Sequence, residues 1–204
     1  MEPLLPGHIY HIYNHSNGDD LLFREDENYV YFIEKYRKYI LPVTDTFSYC
    51  LMPNHFHILV RIKEKEDIIS AFNKSFKRKY DRCTLAKERE NLVSLFVSKQ
   101  FSNLFSSYTQ AFNKMYDRMG SLFMKNFKRK RIEDEDYYTK MITYIHLNPV
   151  RHTFVSKPED WNYSSYKTIL SDAKTWLEKE EVINSFSDRD NFIYCHLEEL
   201  NKEV

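Results

Sequence analysis

The chain has 204 residues, which is enough for one domain with a substantial core and marginal for two. Hydrophobic residues make up 42% and charged residues 29%, as in ordinary globular proteins, and no apolar run is long enough to cross a bilayer. The formal net charge is zero, so nucleic-acid binding must be argued from local clusters of charge. The N-terminus lacks the basic and then apolar pattern of a secretory signal, and we therefore expect a cytoplasmic protein.

Glycine and cysteine are both scarce, with 3 of each. So few glycines exclude a fold that depends on a glycine-rich phosphate loop. Cys50, Cys83 and Cys195 lack the paired spacing of a disulfide framework or a zinc site. Aromatic residues are abundant at 16%, and their rings can stack on unpaired bases, although most of them are expected in the core.

The first part of the chain predicts a strand, a helix and a β-hairpin. Residues 8–15 alternate as a strand does, whereas residues 25–41 place apolar side chains at spacings of three and four, which is typical of a helix. Residues 44–52 and 55–62 predict two strands joined by a short turn.

The second part is mainly helical. Residues 66–100 predict a highly charged helical stretch, and residues 103–119 predict a clearer, separate helix. Residues 121–131 are expected to be extended. Residues 134–148 predict another helix, which Pro149 should end.

The resulting order, β-α-β-β-α-β-α, indicates an α+β fold. Its first six elements match a ferredoxin-like (RRM-like) unit, an antiparallel sheet with helices on one face. We expect one domain over residues 1–170, with a helical insertion at about 66–100, and a C-terminal helical extension over residues 171–204. The fold alone indicates little about function, because it serves many.

A His-x-His pair lies on the second strand of the hairpin. His55 and His57 are two residues apart, so both imidazoles point to the same face of the sheet. Two histidines projecting from a rigid strand can share one divalent cation. On its own the pair is weak evidence, because two polar side chains on the open face of a sheet would give the same pattern.

A tyrosine and an asparagine lie one turn apart on the last predicted helix. Tyr144 and Asn148 therefore share a face. A tyrosine is a poor nucleophile at its free pKa of about 10, but a nearby divalent cation favours the phenolate. The carbonyl of Asn148 could supply that cation with an oxygen ligand. For Tyr144 alone, packing on the sheet is the simpler interpretation.

In combination these segments resemble the REP-associated tyrosine transposases, a branch of the single-tyrosine HUH transposase family. The resemblance rests on LMPNHFHILV at 51–60 and YIHLNPVRH at 144–152. Between them, FNKMYDRMGSLFMKNFKRK at 112–130 is similar to the family's helix, turn and basic strand, and WNYSSY at 161–166 is similar to a further signature. The four matches occur in the right order, and the resemblance extends from about Gly7 to Tyr166, which is most of the chain.

The resemblance implies a site and an activity. His55, His57 and Asn148 would bind a divalent metal ion, Mg²⁺ or Mn²⁺. Tyr144 would be the nucleophile, and Tyr137, which lies on the same face of the helix, is the alternative nucleophile. The chain would be a single-stranded DNA endonuclease and strand transferase, a transposase that acts through a 5′-phosphotyrosine intermediate. Its substrate would be single-stranded DNA with REP-like hairpins beside the cut site. The family includes monomers and homodimers, and the sequence does not distinguish them.

Basic residues flank the predicted nucleophile helix and are candidates for DNA contacts. They are Lys125, Lys128, Arg129, Lys130 and Arg131 before the helix and Arg151 after it. A second basic cluster lies at 77–79. Such clusters can bind DNA strongly in a neutral protein, because each neutralised phosphate releases counterions. A solvated surface is the alternative for either cluster.

Two other functions remain open. One is a non-catalytic protein on the same fold that binds a DNA or RNA hairpin. The other is a hydrolytic metalloenzyme with a metal-bound water as the nucleophile. This alternative is less favoured, because two histidines and one asparagine supply no obvious general base. Of the other histidines, His146 is predicted to point away from Tyr144 and to be structural. His8, His11 and His15 are interpreted as polar positions on an edge strand.

Overall fold

The structure is a computed structural model that describes residues 2–76 and 88–202. In these ranges the strands are β1 (Ile9–His15), β2 (Thr44–Met52), β3 (His55–Ile62) and β4 (Lys128–Ile132). The helices are α1 (Asp26–Tyr39), α2 (Lys65–Phe76), α3 (Glu88–Met115), α4 (Glu135–Arg151), α5 (Tyr166–Leu170), α6 (Lys179–Ser185) and α7 (Arg189–Asn201), with a 3₁₀ turn at Pro158–Asp160. The basic cluster at 77–79, Cys83 and the middle of the predicted 66–100 stretch lie outside the described residues.

The described strands form one antiparallel sheet in the order β2-β3-β1-β4. This order and the alternation of strands with helices confirm the predicted α+β, ferredoxin-like class. The interpretation of β1 as an edge strand is wrong. It pairs with β3 on one side and with β4 on the other, so its side chains lie in the middle of the sheet.

Helices cover both faces of the sheet. Helices α1 and α3 pack on one face, where Phe32 and Tyr108 join Phe56 and Ile58 of β3 in a buried core. This is the single helical face expected for the first six elements. Helix α4 covers the opposite face, where Ile142 packs in a second core with Leu59, Val182 and Phe192. Because strand side chains alternate, His55 and His57 point toward this second face.

The C-terminal helices share the core of α4, since Val182 lies on α6 and Phe192 on α7. This packing does not test the expected domain boundary after residue 170, which stays a prediction. Among the residues that the structure describes, no helix has the length and apolar composition needed to cross a membrane.

Three predicted helix ends differ from the structure. The helix predicted to end at residue 119 ends at Met115. The predicted break between residues 100 and 103 is wrong, because α3 continues from Glu88 to Met115. The buried side chains of Phe101 and Leu104 hold both sides of the expected break in the core. Helix α4 also passes Pro149 and ends at Arg151. A proline so near the C-terminus removes one backbone hydrogen bond, and the helix is still closed by the amide of His152, which donates to the carbonyl of Asn148 (3.0 Å).

Candidate active site

The histidine pair lies on the face of β3 that α4 covers. The rings of His55 and His57 are 5.2 Å apart between centroids, and His57 is buried. Strand β3 is hydrogen-bonded to a neighbour on each side, so the backbone that carries both imidazoles is held in place. This confirms the prediction that the two side chains share one face.

Helix α4 brings Tyr144 and Asn148 to the same place. The ring of Tyr144 meets the ring of His57 edge-on, with centroids 5.5 Å apart. The side-chain Nδ2 of Asn148 donates to the backbone carbonyl oxygen of Tyr144 (2.9 Å), and the Asn148 side chain lies near enough to His55 to counteract part of the fall in its pKa. The four residues singled out in the sequence therefore converge within one chain.

His11 of β1 is part of this site, although its position in the sequence was interpreted as a polar position on an edge strand. Its Nε2 lies 2.9 Å from Nδ1 of His57, and the two rings lie nearly in one plane, edge to edge, with centroids 5.1 Å apart. The residue is buried, with 6% of its surface exposed. The available signal was alternation, which places His11 and Tyr13 on one face of β1. The interpretation of β1 as an edge strand conflicted with the predicted ferredoxin-like fold, in which β1 lies beside β3.

Two further histidines border His55. The ring of His15 lies parallel to it at 5.6 Å, because the two residues are directly opposite each other in the sheet. The ring of His152, at the C-terminal end of α4, lies 5.1 Å from it. His152 stands within the YIHLNPVRH segment, so its proximity to the site could have been anticipated from the motif.

The buried histidines are held in their neutral form. The pKa of His57 is lowered to about 2, mainly by burial and secondly by the neighbouring His11. Burial, and next His152, lower the pKa of His55 to about 4. Burial, and next Lys130, lower the pKa of His11 to about 4. A neutral imidazole retains the lone pair that binds a metal ion.

The side chains fit a metal ion of intermediate softness. Within residues 2–76 and 88–202, no group of three or more His, Cys, Asp and Glu side chains is arranged to hold a metal. The side-chain oxygen of Asn148, near His55, is the candidate for a third protein ligand. Nδ1 of His55 donates a hydrogen bond to the side-chain oxygen of Asn54 (2.8 Å), and this leaves Nε2 of His55 with a lone pair. Two imidazoles and one amide oxygen suit Mn²⁺ better than Mg²⁺.

A cleft of about 520 Å³ opens beside these residues. Its lining includes His11, His57, Tyr144, Tyr137 and Arg151. The two tyrosines differ in their surroundings. Tyr144 contacts the histidine rings, whereas the hydroxyl of Tyr137 accepts a hydrogen bond from Nζ of Lys130 (2.9 Å). The guanidinium of Arg151 lies over the ring of Tyr144 at 5.0 Å and also pairs with Glu199 (3.4 Å).

The basic run before α4 is divided between the two faces of the sheet. On β4, Lys128 and Lys130 are opposite Tyr13 and His11, so they lie on the face of the cleft. The alternate residues of β4 point to the other face. There Arg129 donates to the hydroxyl of Ser98 on α3 (3.2 Å).

A second groove, of about 600 Å³, lies on that other face. Lys125 and Arg129 line it together with polar side chains of α3, including Ser98 and Ser102. Arg131, also on this side of β4, pairs with Glu133 (3.2 Å). The sequence run therefore forms two basic surfaces, one beside Tyr144 and one behind the sheet.

His146 points away from Tyr144, as predicted, and anchors α4. It is fully buried, with Nδ1 3.0 Å from Nε2 of His196 and Nε2 2.7 Å from the hydroxyl of Ser165. That hydroxyl accepts the amide hydrogen of Tyr49 on β2 (2.9 Å). The WNYSSY segment thus joins α4 to the sheet, and Trp161 adds a hydrogen bond to the carbonyl of Leu51 (3.0 Å).

The fold and the site define an α+β protein in which a helix places a tyrosine across a histidine-bearing antiparallel sheet. No model of a known protein family matches the chain. The chain is similar to a curated protein of Haemophilus influenzae named "Putative REP-associated tyrosine transposase", with 26% identity over 122 residues. That similarity covers 60% of this chain and 58% of the relative, which is less than two thirds of the relative's length.

A solved structure described as a REP-associated tyrosine transposase bound to a REP hairpin is also similar. The TM-score is 0.53 at 17% identity, over 84% of each chain. This likeness shows the fold. Together the two comparisons confirm the resemblance that the motifs indicated.

Proposed function

We propose that the protein is a REP-associated tyrosine transposase of the single-tyrosine HUH family, which cleaves and rejoins single-stranded DNA. The observation that carries this proposal is the convergence of Tyr144 with His55, His57 and Asn148 where α4 packs on the sheet. A tyrosine packed on a sheet for stability alone would not require two neutral histidines beside it. The similarity to the Haemophilus influenzae protein points to the same activity.

In the proposed reaction, the hydroxyl oxygen of Tyr144 attacks the scissile phosphorus. A phosphorus–oxygen bond forms to the tyrosine as the bond to the 3′ oxygen of the preceding nucleotide breaks. The tyrosine proton leaves to solvent, which reaches the 36% of Tyr144 that is exposed, and the departing oxygen takes up a proton to become a 3′-hydroxyl. The 5′-phosphotyrosine keeps the bond energy, so a later 3′-hydroxyl can reverse the step and join strands.

His55, His57 and Asn148 would hold a divalent metal ion, Mn²⁺ or Mg²⁺. When bound, the ion would supply positive charge to the scissile phosphate. Arg151 would add a second positive charge, because its guanidinium lies over the ring of Tyr144. Burial would keep the two imidazoles neutral and ready to bind metal without a prior loss of protons.

The proposed substrate is single-stranded DNA that carries a REP-like hairpin beside the cut site. The solved relative is bound to a REP hairpin, and the two basic surfaces of this chain could hold two parts of such a molecule. Lys128, Lys130 and Arg151 would contact the strand near Tyr144. Lys125 and Arg129, with Arg131 beside them, would contact phosphates behind the sheet.

One chain would be sufficient for cleavage. The rings of Tyr144 and His57 meet within a single protomer, so no partner is needed to bring the nucleophile to the metal ligands. A monomer is therefore the simplest functional unit. A homodimer would be compatible with this proposal if each protomer used its own Tyr144.

The proposal is tested by trapping the covalent intermediate. Labelled single-stranded DNA containing the hairpins that flank the gene is incubated with the protein and Mn²⁺, and a denaturing protein gel is run. For the unmodified protein we expect a labelled band at the mass of protein plus DNA fragment. The band should be absent in Tyr144→Phe and present in Tyr137→Phe, which is the matched control.

Other outcomes would favour other functions. Tight binding without a band, on DNA that carries the correct flanking hairpins, would favour a non-catalytic hairpin-binding protein. Cleavage without a band would favour hydrolysis by a metalloenzyme. A band that survives in Tyr144→Phe but not in Tyr137→Phe would transfer the nucleophile to Tyr137.

A further inference from the structure

We infer that His11 is a positioning residue that fixes which nitrogen of His57 is free to bind the metal ion. This inference rests on the proposed metal site and assigns a role to a residue that is not one of its proposed ligands. The observation is the 2.9 Å separation between Nε2 of His11 and Nδ1 of His57, with both side chains buried.

Only one hydrogen can lie between these two nitrogen atoms, and its position decides the chemistry of His57. A neutral imidazole carries one N–H group and one lone pair. If Nδ1 of His57 donates to His11, the lone pair of His57 lies on Nε2 and can bind a cation. If His11 donates instead, Nε2 of His57 carries the hydrogen and cannot bind. The proposed metal site therefore requires His11 to be the acceptor.

The surroundings of His11 suit this role. Its ring packs against the rings of Tyr13, at 4.8 Å, and His57, at 5.1 Å, so it has little freedom to turn. Strand β1 is paired on both sides, which fixes the backbone below the ring. Ligands in metal sites are commonly oriented by a hydrogen bond from the second ring nitrogen. His55 has the same arrangement, with Asn54 as its acceptor.

The position of the hydrogen can be measured without a metal ion. In the full-length protein labelled with ¹⁵N-histidine, long-range ¹H–¹⁵N spectra distinguish the two neutral forms of His57. We expect the hydrogen on Nδ1 in the unmodified protein and in His11→Gln, whose amide oxygen can accept. In His11→Phe, which keeps the stacked ring but offers no acceptor, we expect His57 to move to the Nε2-protonated form. A hydrogen on Nε2 of His57 in the unmodified protein would overturn the inference.

The consequence for metal binding is measured by titrating Mn²⁺ into the same three proteins by calorimetry, after circular dichroism has shown that each is folded. We expect His11→Phe to bind Mn²⁺ roughly 10- to 100-fold more weakly, as is usual when such a hydrogen bond is lost, and His11→Gln to recover most of the affinity. Equal affinities in all three proteins, or equal losses in both variants, would show that His11 only packs. If the unmodified protein showed the expected form of His57 but bound no Mn²⁺, the metal site of the proposed function would fail, and the role of His11 with it.

Discussion

The ring of Tyr144 meets the ring of His57 edge-on, with centroids 5.5 Å apart, although the two residues lie on different elements far apart in the chain. Strand β3 carries the histidine and helix α4 carries the tyrosine. Their meeting depends on the packing of α4 over the sheet, which His146 and its hydrogen bonds help to fix. This contact is therefore the point at which the fold produces the proposed chemistry.

A mixing experiment tests whether one chain supplies the whole site. His57→Ala and Tyr144→Phe should each be inactive in forming the DNA adduct. If each protomer uses its own tyrosine, as proposed, a mixture of the two should stay inactive. Adduct formation is measured on a denaturing gel after the two variants have been unfolded and refolded together. Unmodified protein treated in the same way is the control. Recovery of adduct in the mixture would mean that two chains share their sites.

Removal of the metal ion should stop cleavage and spare DNA binding. We expect EDTA to abolish the adduct, while hairpin affinity, measured by fluorescence anisotropy, changes little because it depends mainly on phosphate contacts. Asn148→Leu should weaken Mn²⁺ binding by roughly tenfold or more, whereas Asn148→Asp keeps an oxygen ligand and should retain it. Full cleavage in EDTA, or equal Mn²⁺ affinity in Asn148→Leu, would contradict the assigned ligand set.

The two faces of β4 should have separable effects. Lys130→Ala removes a cation beside the cleft and should slow adduct formation at saturating DNA. Arg129→Ala removes a cation behind the sheet and should weaken hairpin binding, reducing the slope of log affinity against log salt by about 1, without slowing the reaction at saturation. The two variants are each other's controls. If both variants changed rate and affinity in the same proportion, the division of the basic run would have no functional meaning.

The buried histidine pair that anchors α4 should make stability fall in acid. Burial lowers the pKa of His196 to about 4, below its ordinary value near 6.5. The unfolded chain therefore binds the proton first as pH falls through this window. Protonation at the position of His196 therefore lowers the free energy of unfolding by about 1.4 kcal/mol per pH unit between pH 6.5 and 4.

The contribution of His196 can be isolated by urea denaturation at several pH values. His196→Gln keeps an acceptor for His146 but cannot titrate. Between pH 6.5 and 4, its free energy of unfolding should therefore fall less steeply than that of the unmodified protein, by about 1.4 kcal/mol per pH unit. Above pH 7 both proteins should have a nearly constant stability. Parallel curves for the two proteins throughout the window would argue against a buried neutral His196.

Local patterns predicted much of this fold because they depend on neighbours in the chain. The alternation in β3 placed His55 and His57 on one face, and the spacing in α4 placed Asn148 one turn from Tyr144. The break predicted near residue 100 was wrong because polar residues there obscured a longer stripe. Val97, Phe101 and Leu104 continue the buried face of α3, and this spacing was visible in the sequence.

The predicted ferredoxin-like class places β1 beside β3, but the local pattern of residues 8–15 does not show this, and His11 was missed because β1 was interpreted as an edge strand. Alternation places His11 on a face of β1 but does not state which strand lies beside it. A strand at the edge and a strand in the middle of a sheet have similar local patterns. Only the pairing of β1 with β3 brings His11 to His57, and that pairing depends on contacts between distant parts of the chain.

The division of the basic run was predictable in principle. Residues on a strand alternate between faces. Once β4 was recognised, Lys128 and Lys130 therefore had to lie on one face of the sheet, and Arg129 and Arg131 on the other. Treating the run as one surface overlooked this rule. The faces themselves could be assigned only after α4 was seen to cover the histidine side.

The identity of the nucleophile is tested most directly by mapping the covalent adduct. After reaction with hairpin-flanked single-stranded DNA and Mn²⁺, the protein is digested with nuclease and protease, and the peptides are sequenced by mass spectrometry. The proposed chemistry predicts a nucleotide attached through phosphate to Tyr144. Attachment to Tyr137 or to any other residue would contradict it.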